Sequence, residues 1–202
     1  MEFHNYYRKI QTFILVEFHD IDKKTMMMYN RRTKSWYSMK MRCKMIVSFI
    51  GHSVILCHSE VKEMVKKQLK NNCIKEASIV FYLGGYGDFD EICAEVCREL
   101  KCELDSVEVA YVTPYLNESA QEIAKQMLMH GLYDLVVYPP IEHTPKRFAI
   151  LARNEWMMSS ADLVIAYVQR EYGGAYKALQ FAKRKKKSVI NISDLLVSGQ
   201  NN

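Results

Sequence analysis

From residue 45 onward the chain alternates short runs that are apolar throughout with longer stretches in which apolar residues recur every three or four positions. Met45 to Ile50 is the first apolar run, closed by Gly51-His52-Ser53, and Ser59 to Leu69 then carries helical spacing. The sequence repeats the unit: a strand over Ala77 to Tyr82, a turn over Gly84 to Asp88, and a helix over Phe89 to Leu100 with Ile92, Val96 and Leu100 four residues apart. Val107 to Val112, the turn Thr113-Pro114 and a helix over Ser119 to Met129 form a third unit. Tyr133 to Tyr138 reads as a fourth strand, stopped at Pro139-Pro140 because proline cannot donate to a sheet ladder.

Thr144-Pro145 is a start signal, a hydroxyl before proline at the first helical position, and predicts a helix to about Ser159. Asp162 to Val168 follows as a fifth strand, Gly173 to Lys183 as a helix, and Ser188 to Ile192 as a sixth strand. Strands apolar on both sides and separated by helices belong in a parallel sheet covered on both faces. Right-handed crossovers then order it. The predicted fold class is α/β, a doubly wound, mostly parallel Rossmann-like sheet with helices on both faces. Residues 1 to 44 do not share this rhythm: Thr12 to Phe18 suits a strand, but Met26 to Tyr37 shows no clean period. A hairpin and a partly ordered extension both fit that segment, which leaves residues 45 to 202 as the domain proper.

Five of the eight glycines fall in two turns, Gly84-Gly85-Tyr86-Gly87 and Gly173-Gly174, each between a strand and a helix. Backbone without Cβ lets a ligand approach closely, and a helix N-terminus offers N–H groups to an anion. Ligands of open parallel sheets bind at the carboxyl ends of the strands, where both turns lie. The expected ligand is therefore nucleotide-like. Arg170 and Lys177 flank Gly173 and Gly174, making that turn the expected phosphate cradle. Asp88 and Asp90 beside the other turn would repel phosphate. They suit ribose hydroxyls, a base edge or a magnesium ion bridging to phosphate, although Asp88 to Glu91 also matches a capping box that explains them locally. Arg147 and Asn154 share a helix face with Arg153 adjacent, and arginine's planar fork suits phosphate. Phe148 and Trp156 are expected to pack that helix on the sheet. His52 is placed to reach the same crevice or to serve a structural role.

Charge and cysteine content alter this picture little. The net charge of +5 is partly local, in Lys183-Arg184-Lys185-Lys186-Lys187, where cations complement the negative end of a helix dipole. No aromatic residue interleaves that run, so base stacking along it is not indicated. The six cysteines form no CxxC pair, which fits reduced thiols, and no metal site is expected. Without an apolar run near the roughly 18 residues of a membrane span, the chain is expected to be cytoplasmic and to have no membrane partner.

Read in order, Phe49-Ile50-Gly51-His52, Phe81 to Asp90, Tyr138-Pro139-Pro140, Arg147 to Ile150, Arg153 to Met157 and Gly173 to Tyr176 resemble a bacterial branch of the SMF/DprA-LOG (SLOG) superfamily. The resemblance covers residues 45 to 193. It implies a Rossmann-like fold and one of three activities: sensing a nucleotide-derived signal, releasing a base from a nucleoside monophosphate, or binding single-stranded DNA. In the hydrolase branch an arginine on a helix works with a glutamate in the motif PGGxGTxxE. Arg153 matches the arginine. The glutamate is missing, since Gly173-Gly174 runs on as Ala175-Tyr176-Lys177-Ala178-Leu179-Gln180. An oxocarbenium-like transition state needs a carboxylate nearby, which Asp88 or Asp90 could supply from the other turn. The leading expectation is therefore nucleotide binding at Gly51, His52, Gly84, Gly85, Gly87, Asp88, Asp90, Arg153, Asn154, Gly173 and Gly174, without a further cofactor. Phosphoribohydrolysis and single-stranded nucleic-acid binding are the alternatives; self-association is left open.

Overall fold

The computed structural model describes the backbone of residues 13–18, 25–30, 35–40, 44–73, 76, 78–104 and 106–199, with side chains from residue 44 to residue 197 of these. In the N-terminal extension, β1 (Phe13–Phe18), β2 (Thr25–Asn30) and β3 (Ser35–Lys40) pair antiparallel in that order. Met27 faces Ser38 in the β2–β3 register.

Next along the chain come β4 (Met45–Gly51), α1 (His58–Cys73), β5 (Ile79–Leu83), α2 (Asp88–Glu103), β6 (Val107–Val112), α3 (Glu118–Met129) and β7 (Leu135–Val137). A 3-10 turn (Lys146–Phe148) then leads into α4 (Ala149–Ser160), β8 (Leu163–Tyr167), α5 (Gly173–Arg184), β9 (Ser188–Asn191) and α6 (Ile192–Gly199). The six strands form one all-parallel sheet ordered β7-β6-β5-β4-β8-β9. The chain walks outward from β4 to β7, then crosses back to lay β8 on the other side of β4. That reversal opens a crevice between the loops after β4 and β8.

Strand alternation explains why the apolar runs are unbroken. Val47, Phe49, Ile79, Phe81, Leu83, Leu163 and Ile165 point into one core with Val61, Val65, Val96 and Leu100 of α1 and α2. Their neighbours Ile50, Val80, Tyr82, Val164 and Ala166 point into a second core with Met157 and Met158 of α4 and Leu179 of α5. Each buried valine, leucine, isoleucine, phenylalanine or methionine among them contributes roughly 1.5–3 kcal/mol. The buried Ser48 hydroxyl donates to the Met157 carbonyl at 3.0 Å, tying α4 to the centre of the sheet. Cys73, Cys93 and Cys97 are free buried thiols in the first core. Among the described residues no helix is long and apolar enough to cross a membrane.

Two local expectations are corrected. Gly87, not Asp88, caps α2, and no side-chain cap bond forms there. Asp88 Oδ2 instead accepts the Ile55 N–H at 2.9 Å and lies 3.2 Å from His58 Nε2, tying α2 to the loop after β4. The helix expected from Pro145 opens as a 3-10 turn, with the Phe148 N–H on the Pro145 carbonyl at 2.7 Å. That turn moves Phe148 out of the helical phase, so its ring is exposed beneath the Arg147 guanidinium, 4.8 Å away, rather than packed on the sheet. Trp156, farther along α4, does stack on Tyr82 at 5.6 Å.

Candidate functional site

The loops after β4, β5 and β8 and the inner end of α4 enclose a cavity of about 320 Å³ at the carboxyl rim of the sheet. Its walls include His52 after β4, Tyr86 and Asp90 after β5, Arg153 and Asn154 from α4, and Gly173 and Gly174 at the start of α5. Pockets of this size suit small ligands.

Arg153 forms the interior wall and is 2% exposed. Its Nη1 donates to the Val112 carbonyl at 3.1 Å, while its buried Nε has no hydrogen-bond partner. Among the described residues it has no ion pair within 4 Å. Burial pulls its pKa down, opposed by the charge of Asp90. With no carboxylate within ion-pairing distance, the charge of Asp90 offsets the guanidinium's desolvation cost only in part, and an anion in the cavity would offset more of it. The approach of the guanidinium to the backbone also explains one glycine: a Cβ on Gly84 would lie 1.9 Å from Arg153 Nη1.

Asp90, 8% exposed, spends its carboxylate inward. Oδ2 accepts the Tyr86 N–H at 2.8 Å, and the N–H groups of Gly85 and Gly84 also favour the ionised form. Burial nevertheless pushes its pKa up to about 6. Asp90 thus folds the glycine turn around itself.

The third wall is the loop between β8 and α5. Asn191 pairs with both backbone groups of Val168 at 3.0 Å, and the Ser193 hydroxyl donates to the same carbonyl at 2.9 Å. His52 Nε2 accepts the N–H groups of Gln169 and Arg170 at 3.0 and 3.3 Å. An accepting Nε2 puts the proton of the neutral ring on Nδ1. Beyond this latch, Tyr172 caps α5 without a side-chain bond, and no acidic residue stands in the first turn. The first amides of α5 therefore face the cavity with the positive end of the helix dipole behind them.

His52 and Asp90 give the site opposed pH dependences. Burial, then the charge of Arg170, hold His52 below its ordinary value of 6.5. Its contribution is present above 6.5 and lost as pH falls below that value, where the unfolded chain takes the proton first. Asp90 is raised from 3.8 to about 6, so its contribution is present below 3.8 and lost as pH rises through about 6. Thermal melts between pH 7 and pH 5 should show partial cancellation in the wild type. Asp90→Asn removes one term and should steepen the loss of melting temperature on acidification; identical slopes would contradict the assignment.

The structure brings Gly51, His52, Asp90, Arg153, Asn154, Gly173 and Gly174 together on one cavity. Gly84, Gly85 and Gly87 lie outside its lining, Gly84 directly behind Arg153. Asp88 faces a separate, smaller groove with His58, Lys62 and Glu95. Ser53, Tyr86, Ile150 and Tyr172 also line the cavity, and the sequence marked them only by adjacency to the glycine turns or to Arg153. Lys183 to Lys187 sit at the other end of α5, about 18 Å away at 1.5 Å per helical residue.

No protein-family model matches the chain, and neither does any curated protein. Among solved structures it is similar to DNA processing protein A (DprA) from Streptococcus pneumoniae, at 14% identity and a TM-score of 0.49, over 72% of this chain and 49% of that one. It is also similar to DprA from Helicobacter pylori, whose structure concerns its single-stranded DNA binding mode, at 16% identity and 0.48, over 77% and 73%. A third is the molybdenum cofactor carrier protein from Chlamydomonas reinhardtii, at 13% and 0.42, over 72% and 74%. The chain spans about half the length of the S. pneumoniae protein.

Proposed function

We propose that the cavity is a receptor for a phosphorylated, nucleotide-type ligand. Its phosphate would lie between Arg153 and the amides of Gly173 and Gly174, with Asn154 and His52 beside the sugar. The observation that carries this reading is the buried guanidinium with an unpartnered Nε on the wall of a cavity otherwise bordered by an uncapped helix N-terminus. A thermal-shift screen of nucleoside mono- and diphosphates, ADP-ribose and NAD tests it. At least one should raise the melting temperature in proportion to the logarithm of its concentration. A folded sample indifferent to all of them would remove the reading.

Gly174 offers a further check. A Cβ there meets nothing within 4 Å, so Gly174→Ala should leave the fold intact, with helix propensity if anything improved by up to about 1 kcal/mol. The methyl group would stand where a phosphate must approach the amides, so affinity is expected to fall about tenfold or more. Unchanged affinity would place the anion elsewhere.

An enzymatic reading is favoured by one observation: Asp90, a carboxyl whose pKa burial pushes up to about 6, lines the same cavity as Arg153. Release of free base from a nucleoside monophosphate, lost in Asp90→Asn, is the result expected of an N-glycosidase. Single-stranded nucleic-acid binding through Lys183 to Lys187 would use the far end of α5. Its mark is an affinity that falls steeply with salt and is indifferent to Arg153.

A further inference from the structure

We propose that Tyr86 and Tyr172 form a two-sided stacking clamp, so that the site selects ligands carrying an aromatic ring next to their anionic group. This rests on the anion-receptor reading above and adds what the rest of the ligand must be. Both tyrosines line the cavity, yet they are 52% and 69% exposed, a large area of ring left open to solvent at its mouth.

They come from opposite sides. Tyr86 belongs to the loop after β5 and Tyr172 to the loop after β8, and those strands flank β4 in the sheet. Each also stands beside one of the two anion-binding elements. The Arg153 guanidinium carbon lies 5.6 Å from the centre of the Tyr86 ring, and Tyr172 immediately precedes the Gly173 amide. The backbone of Tyr86 is pinned by its N–H bond to Asp90, so its ring is presented from a fixed base. Ile150, half-exposed on the same cavity, adds apolar wall. A flat heterocycle gains from tyrosine faces whatever its hydrogen-bonding edge, so the clamp selects for a ring without dictating which base.

Calorimetric titration of adenosine 5′-monophosphate and ribose 5-phosphate tests this. The nucleotide should bind the wild type about tenfold tighter or more. Tyr86→Ala and Tyr172→Ala should each collapse that preference, and the corresponding phenylalanine variants should retain it. If both compounds bind equally well, or the preference survives both alanine variants, the clamp is overturned while the anion receptor stands. If neither compound binds and the screened nucleotides also leave the melting temperature unmoved, the receptor itself fails and the clamp goes with it.

Discussion

Replacing Arg153 by methionine is expected to lower affinity for a nucleoside monophosphate by about a hundredfold or more while leaving the protein as stable as before or more so. The two effects share one cause. The guanidinium is 2% exposed, makes one hydrogen bond to a carbonyl and leaves Nε unpartnered, so folding strips most of its hydration and returns only the charge of Asp90 from beyond ion-pairing distance. Methionine keeps much of the packing volume beside Met157 and removes the charge, a change worth up to about 1–4 kcal/mol in favour of the fold. The Val112 carbonyl would lose its Arg153 donor and Asp90 a favourable positive charge, which together offset part of the gain. Chemical denaturation and calorimetry on the same sample check the pair. A variant that loses both binding and several kcal/mol of stability would show that Arg153 is a structural residue instead.

Gly84→Ala should damage the same feature from the opposite direction. The new Cβ would lie 1.9 Å from Arg153 Nη1, 2.7 Å from its Cζ and 2.9 Å from its Nη2, and the arginine is enclosed with little room to withdraw. The expected cost is about 1–3 kcal/mol, the range for overpacking a closed site. Ligand affinity should fall with it because the guanidinium is displaced. Two substitutions that compete for one space are not additive. Arg153→Met in the Gly84→Ala background is therefore expected to recover much of the lost stability, since methionine carries no atoms at the positions of Nη1 and Nη2. Equal losses in both backgrounds would mean that the strain lies elsewhere in the turn.

The strands were legible because a sheet covered on both faces demands apolar residues at every position, and Phe81 and Tyr82 illustrate it by entering different cores. The glycine turns marked the rim for a similar reason, since topology puts strand-to-helix loops there. Which acid faces the cavity was not legible. Asp88 and Asp90 are two residues apart on a helix, about 200° around its axis, so one reaches His58 while the other wraps the glycine turn. The capping-box pattern at Asp88 was satisfied by sequence but lost to a tertiary partner, the Ile55 amide. Arg153 is ordinary as composition; only the motif resemblance singled it out, and its meaning comes from burial that no periodicity encodes. The roles of His52, Asn191 and Ser193 as clasps on the loop after β8 depend on strands distant in sequence meeting side by side.

The most direct measurement is a comparison of adenosine 5′-monophosphate with adenosine in calorimetric titrations of the wild-type protein. If Arg153 and the opening amides of α5 hold an anion, the phosphorylated compound binds at least about tenfold tighter, the worth of one charge-assisted hydrogen bond. Equal affinity for the two, or tighter binding of the uncharged nucleoside, would contradict an anion receptor at this rim of the sheet.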